Sequence, residues 1–296
     1  MSTTPVIEVD HLNLKYGDFH AVRDLSFEVR PGELYALLGT NGAGKTSALE
    51  TVEGHRTATS GTVRVFGHSP RDRAAVRPRM GVMLQESGFS PDLTVRESVA
   101  LIGRLTRRSD DVDRVIDVVE LTGKAGTLVG QLSGGEKRRL DFATAVYGTP
   151  ELIFLDEPTT GLDIQSRDDL WNAVDRLREN GSTVVLTTHY LEEAQQRADR
   201  IGLMHQGTLR REGTVSELTR SLPAVITFTL AAPAPSLPLQ AAVGAGGSVR
   251  VETFNLQKDL YVLLGWAQDH GLELGDLSAG PTRLDDVFRS IESIAS

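Results

Sequence analysis

The sequence contains no cysteine. That absence excludes disulfides and cysteine-ligated metals, and it is compatible with a reducing compartment. There is also no run of about 18 apolar residues, so no segment is expected to cross a bilayer as a helix. Residues 1–5 lack a basic stretch followed by an apolar one, which argues against a secretory signal. Basic residues are in the minority, 31 Lys and Arg against 40 Asp and Glu, an imbalance that speaks against a chain built to coat nucleic acid. No internal repeat of useful period is present. What is there is an ordinary globular balance, 40% hydrophobic and 24% charged over 296 residues. The length suits one large domain with a smaller appendage.

Leu25, Phe27 and Val29 alternate with Ser26, Glu28 and Arg30, a period of two that predicts a half-buried strand. Pro31-Gly32 supplies a turn, and an apolar run over 34–38 stops at Gly39. Further strands are expected at 80–84, 151–155 and 183–186. The last two are continuous apolar runs, as found where helices cover both faces of a parallel sheet. Helical patterns separate these strands, which makes the main domain α/β. From Thr94 to Thr122 the pattern is wholly helical. Thr94 and Glu97 have capping-box spacing, Val99, Ile102 and Leu105 fall on one face, and a second helix is expected over 110–121. This stretch reads as a helical insertion in the α/β domain, within a helical subdomain of about 86–145.

Beyond Arg220 the texture changes. An Ala/Pro/Gly-rich stretch over 231–247 is flanked by strand patterns at 225–230 and 249–254. A helix is expected over 256–270, a short strand at 272–274, and a last helix from Thr282 with Leu284, Val287, Phe288 and Ile291 as its apolar stripe. Residues 1–221 are thus expected to form the main domain and 222–296 a small α+β domain.

The segment Gly39-Thr40-Asn41-Gly42-Ala43-Gly44-Lys45-Thr46 has the spacing of a phosphate-binding loop. Its glycines let backbone N–H groups wrap around a polyphosphate, and a helix starting near Gly44 aims its positive end at the same anion. Lys45 is placed to reach the β- and γ-phosphates of a nucleotide and the Thr46 hydroxyl to bind Mg²⁺, and Ser47 is a further nucleotide contact. A second apolar run, 152–155, ends in Asp156 and Glu157. Asp156 suits Mg²⁺, contacted directly or one ligand removed. Glu157, expected to point the other way along the pleat, suits polarisation of an attacking water.

Three more segments, with these two, resemble the ABC ATPase family over about residues 5–215. Leu132-Ser133-Gly134-Gly135-Glu136, ahead of a helical pattern, is similar to the family's signature motif. Pro158-Thr159-Thr160-Gly161-Leu162-Asp163 follows the acid pair as the family's D-loop does, and His189 stands where the family has its switch histidine. Gln85 resembles the glutamine that senses Mg²⁺ and the partner channel, and Tyr16 the aromatic residue on which adenine stacks. The resemblance implies a P-loop NTPase core with an antiparallel β subdomain and a helical subdomain, and ATP with Mg²⁺ as ligands. It assigns catalysis to Glu157, His189 and Gln85, and metal binding to Thr46, Gln85 and Asp156. It adds Ser133, Gly134, Gly135, Glu136 and Asp163 to the nucleotide contacts. Ser133 and the amides of Gly134 and Gly135 would face the γ-phosphate held by another subunit's P-loop. Glu136 stands where the family usually has Gln and Thr40 where it often has Pro; neither change removes a phosphate ligand.

The same resemblance implies a peripheral motor on the cytoplasmic face of a membrane. It would work on a separate integral membrane permease with a second ATPase subunit; the complete motif set favours a homodimer and leaves a heterodimer open. Thr282-Arg283-Leu284-Asp285-Asp286-Val287-Phe288 resembles the tail of daunorubicin-resistance-type exporter ATPases, pointing to export of a drug, antibiotic or lipid-like molecule. The alternatives are an importer ATPase and a soluble ABC protein acting on ribosomes or DNA. Members of the latter class usually carry two cassettes, long coiled coils or zinc-binding cysteines, none of which occurs here. A P-loop kinase or GTPase has no place for the signature motif, and no Asn-Lys-x-Asp guanine reader is present. Arg71, Arg73, Arg77 and Arg79, interrupted by Pro70, Asp72 and Pro78, read as a solvated loop.

Overall fold

The computed structural model describes residues 4–83, 88–220, 222–230 and 235–294. They fall into two compact units, Met1–Thr214 and Val215–Ser296.

In the larger unit β1 (Ile7–Tyr16) and β2 (Phe19–Val29) form an antiparallel hairpin. Its two-residue Gly17-Asp18 loop begins at positive φ, which only a residue without Cβ adopts at little cost. The strand expected over Leu25–Val29 is the second half of β2. Next come β3 (Leu34–Gly39), α1 (Lys45–Val52) and β4 (Ser60–Val65), and β4 adds to the free edge of β1 in the order β2-β1-β4. Leu12, Val22, Leu25 and Val65 of this sheet bury against Ala48, Leu49 and Val52 of α1 and Leu37 of β3. Each large aliphatic side chain removed from water there contributes about 1.5–3 kcal/mol. The packing fixes the end of β1, with Tyr16, beside the start of α1.

The chain continues through α2 (Arg73–Val76), β5 (Met80–Met83), α3 (Val95–Thr106), α4 (Val112–Val118), α5 (Gly134–Val146) and β6 (Leu152–Asp156). It then runs through α6 (Ile164–Glu179), β7 (Thr183–Thr187), α7 (Leu191–Arg197), β8 (Arg200–His205) and β9 (Thr208–Gly213). The second sheet has the order β5-β6-β7-β3-β8-β9, parallel except for β9. Because β6, β7 and β3 are parallel neighbours, the loops after Asp156, Thr187 and Gly39 leave from one edge of the sheet, where ligand sites of α/β folds form.

The expected helical segment is present, with two corrections. Thr94 and Glu97 do form a capping box on α3, but the buried face is Val95, Ser98, Val99 and Gly103, and Leu105 is 69% exposed. The face turned because Gly103 admits the ring of Tyr147: a Cβ at that glycine would lie 2.5 Å from Cε1. The helix expected over 110–121 is shorter, since Asp111 caps it by accepting from the Asp113 amide and Glu120 ends it with a left-handed backbone.

The smaller unit contains α8 (Val215–Arg220), β10 (Ala224–Thr229), β11 (Ala242–Val243), β12 (Ser248–Thr253), α9 (Leu256–Asp269), β13 (Gly275–Gly280) and α10 (Leu284–Ile294). Its antiparallel sheet runs β11-β12-β10-β13, and Leu263 of α9 packs into Ile226, Phe228, Val249 and Val251. The last strand lies at Gly275–Gly280 rather than at 272–274. Pairing of Val225 with Gly280 and Thr227 with Ser278 overrides the weak strand preference of Gly-Asp-Leu-Ser-Ala-Gly. The unit also begins earlier than the 221/222 boundary expected, because α8 packs on α10, with Leu218, Leu284 and Val287 buried.

Candidate nucleotide-binding site

The phosphate loop departs from the buried end of β3. A Cβ on Gly39 would come within 2.5 Å of the Met204 carbonyl oxygen, and one on Gly44 within 2.4 Å of the Ala21 carbonyl oxygen. Gly42 and Gly44 also have φ of 78° and 95°, so the loop needs glycine for space and for backbone. Gly44 is the N-cap of α1, and the amides of the first turn have no intrahelical acceptor. Lys45 turns inward and its Nζ donates to the carbonyls of Gly39 at 2.6 Å and Thr40 at 3.2 Å. Burial lowers its pKa, against the pull of Glu157 and Asp156. Partial dehydration also strengthens the attraction between the charged ammonium and an anion placed beside it.

Around the loop the fold gathers Tyr16, Asn41, Gly42, Ala43, Gly44, Lys45, Thr46, Ser47, Asp156, Glu157 and Thr187 on one cleft of about 310 Å³. The Tyr16 hydroxyl hydrogen-bonds Ser47 Oγ at 3.1 Å, and the Arg56 guanidinium lies 4.7 Å from the ring centroid. Asp156 accepts from the Thr187 hydroxyl, and burial raises its pKa. Glu157 corrects one expectation. It does not continue the pleat of β6, which ends at Asp156, but turns at φ 48°. A non-glycine residue in that region costs about 1–3 kcal/mol. The Glu157 amide donates to the Thr187 carbonyl at 2.9 Å, and its Oε2 lies 3.3 Å from His189 Nδ1.

Ser133, Gly134, Gly135 and Glu136 lie at the start of α5 and do not line this cleft. Ser133 and Glu136 form a reciprocal capping box: the Ser133 amide donates to Glu136 Oε2 at 2.8 Å and the Glu136 amide to Ser133 Oγ at 3.2 Å. The Ser133 amide holds the Glu136 carboxyl below the usual carboxylate range, and Lys124 adds an ion pair at 3.3 Å. Asp163 is likewise outside the cleft and caps α6 through the Ser166 amide at 2.8 Å. Gln85 lies outside the described residues.

The cradle fits a nucleoside triphosphate: glycines clear the wall, amides and Lys45 supply positive charge, and the Tyr16 ring lines the same cleft. Thr46 and Asp156, on the same cleft, fit a hard cation that takes its other ligands from phosphate and water.

The family model described as ABC transporter matches residues 22–160. A model for the C-terminal domain of ABC transporter domain-containing protein-like chains matches 224–282. The chain is 40% identical over 221 residues to a Nod factor export ATP-binding protein I of Paraburkholderia xenovorans, covering 73% of each chain. It is 40% identical over 230 residues to the daunorubicin/doxorubicin resistance ATP-binding protein of Streptomyces peucetius, covering 75% of this chain and 70% of that one. The chain belongs to the ABC transporter ATP-binding family. Solved structures share the fold of this ABC ATPase. One is an ATP-binding subunit of an ABC transporter, at a TM-score of 0.69 and 23% identity over 73% of this chain and 92% of that one. Another is an ATP-binding cassette in its ADP conformation, at 0.64 and 22% over 73% and 93%.

Two residues of the ABC ATPase with no motif of their own hold its acid turn in place. Buried Arg138 of α5 donates from Nη2 to the carbonyls of Asp156 and, at 2.6 Å, of Glu157, and from Nε to that of Pro158 at 3.2 Å. Buried Glu193 of α7 accepts from the Thr159 hydroxyl at 2.9 Å and lies 3.5 Å from Arg167 Nε. The signal for Arg138 was its helical phase. It shares a face with Asp141, Phe142 and Ala145, and a charge on a buried face requires partners.

Proposed function

We propose that this ATPase powers export of a small molecule (a drug, antibiotic or lipid-like compound) through a separate integral membrane permease, working at the cytoplasmic face as a dimer of ATPase subunits. The relatives named for Nod factor export and for daunorubicin resistance support the direction. A peripheral position agrees with the finding that, among the described residues, no helix is long and apolar enough to cross a membrane. A homodimer is favoured because one chain carries both the Lys45 cradle and the Ser133 helix start.

The assignment rests on the convergence of Lys45, Asp156 and Glu157 on one cleft. Lys45 and the loop amides hold the phosphate tail, and Tyr16 stacks the base. Thr46 and Asp156 would hold Mg²⁺, which would supply neutralisation of phosphate charge. Glu157 accepts the proton of a water as that oxygen bonds to the γ-phosphorus; the bond to the bridging oxygen breaks, giving ADP and inorganic phosphate. His189 holds Glu157 and the γ-phosphate in register. Ser133 and the amides of Gly134 and Gly135 contact the γ-phosphate held by the other subunit, so nucleotide binding closes the dimer and phosphate loss reopens it.

The test is purification of Glu157→Gln with and without ATP, alone and with its membrane partner. An ATP-dependent dimer that co-purifies with a membrane protein is expected; a strict monomer under all these conditions would refute the mechanism.

A further inference from the structure

Arg138 is one side chain that ties two functional places together. It lies on the second turn of α5, five residues after Ser133, or roughly 7–8 Å along the axis at 1.5 Å per residue. From there its guanidinium reaches the carbonyls of three consecutive residues, Asp156, Glu157 and Pro158. It is also ion-paired to Asp141 one turn on, at 3.9 Å. Three successive carbonyls converge on one planar fork because the backbone reverses at Glu157, with φ 48°. The fork of arginine serves such a cluster and the single ammonium of lysine does not. The start of the same helix faces the next stretch of the turn, since a Cβ on Gly135 would stand 3.8 Å from Leu162 and 3.9 Å from the Gly161 carbonyl oxygen. An α-helix moves as a rod, so a shift of Ser133 displaces Arg138 and with it the backbone that carries Glu157.

We infer that Arg138 is a positioning residue for Glu157 and links the two ATP sites of the dimer. The link rests on the reading above, in which Ser133 touches the nucleotide of the other subunit while Glu157 acts on the nucleotide of its own. Phosphate contact at one site then sets the base of the other through α5, without any movement of Lys45 or Tyr16. A purely structural arginine would stabilise the turn and leave the two sites independent.

The experiment compares Arg138→Lys and Arg138→Gln with wild type in the full chain, with steady-state ATPase read against ATP concentration. Arg138→Lys is expected to lower kcat by at least ~10-fold with KM within about twofold, and to bring the Hill coefficient to about 1. In the nucleotide-free protein the Glu157 amide, bonded to the Thr187 carbonyl, is expected to exchange its hydrogen faster in the variant, while amides within β7 keep their rates. Glu157→Gln carrying Arg138→Lys is expected to dimerise with ATP as Glu157→Gln alone does. If Arg138→Gln does not fold, Arg138→Lys decides alone, because it keeps the buried charge and loses only the fork. A wild-type kcat, or a lowered kcat with an unchanged Hill coefficient, overturns the link. Should Glu157→Gln alone stay monomeric with ATP, the reading of Ser133 fails first and takes the link with it; if it dimerises while Arg138→Lys turns over normally, the link alone is wrong.

Discussion

His189 Nδ1 and Glu157 Oε2 stand 3.3 Å apart, a pairing made across the ends of two adjacent parallel strands, β7 and β6. The histidine therefore meets the carboxylate proposed to take a proton from water. Glu157→Gln keeps the shape and loses the acceptor. Its kcat is expected to fall by ~10²–10⁴-fold, the usual share of a general base, with nucleotide affinity close to wild type. Phosphate release and a fluorescent-nucleotide titration measure the two separately. Turnover within tenfold of wild type would remove Glu157 from this role.

Asp156 carries a pH dependence of defined sign. Burial raises its pKa above the ordinary 3.8, so the folded protein takes up a proton there before the unfolded chain does. The resulting stability is fully present below 3.8 and is lost as pH rises through the folded value. Under the proposed role of Asp156, Mg²⁺ would need the carboxylate and compete with that proton. The Mg²⁺ concentration for half-maximal ATPase should rise as pH falls toward the raised pKa, and Asp156→Asn should remove the trend together with tight metal binding. Metal titrations at several pH values check both.

Tyr16 presents a ring that Arg56 covers on one side, the arginine itself being held by Glu50. Stacking of a base on such a ring is worth about 1–3 kcal/mol, or roughly 5- to 150-fold in affinity. Tyr16→Ala should weaken ATP binding by that factor, whereas Tyr16→Phe, which loses only the hydroxyl contact to Ser47, should stay within a few-fold. Since stacking tolerates any base, GTP should suffer the same loss. Isothermal titration of both nucleotides decides the matter, and an unchanged Tyr16→Ala affinity would show that the base sits elsewhere.

At Gly81 β5 passes close to α5: a Cβ there would lie 1.9 Å from the Ala145 carbonyl oxygen. The obstacle is backbone on one side and Pro150 on the other, so neither yields easily. Gly81→Ala is expected to cost about 1–3 kcal/mol in urea unfolding, the ordinary price of overpacking. A midpoint equal to wild type would mean that α5 slides along the sheet edge freely.

Much of this was legible in the amino-acid order. The phosphate loop declared itself because glycine spacing, a preceding apolar run and Lys45 all serve one backbone path. β6 and β7 were equally plain, since strands covered on both faces need unbroken apolar runs. What stayed hidden depends on contacts distant in sequence. The strand at Gly275–Gly280 exists through its pairing with β10, the face of α3 was decided by the Tyr147 ring against Gly103, and the left-handed turn of Glu157 is held by an arginine 19 residues earlier. Asp163 and Glu136 show another case: a motif marked them as nucleotide contacts, and the structure has them capping helices outside the cleft.

The smaller unit fastens its own ends. Thr282 donates to the carbonyls of Leu222 and Pro223, and the terminal helix α10 lies on α8, the element through which the chain enters. A module closed in this way carries its stability within itself, so evolution can add, exchange or drop it without recutting the ATPase core. The smaller unit can therefore vary in sequence while the phosphate loop around Lys45 keeps its backbone path.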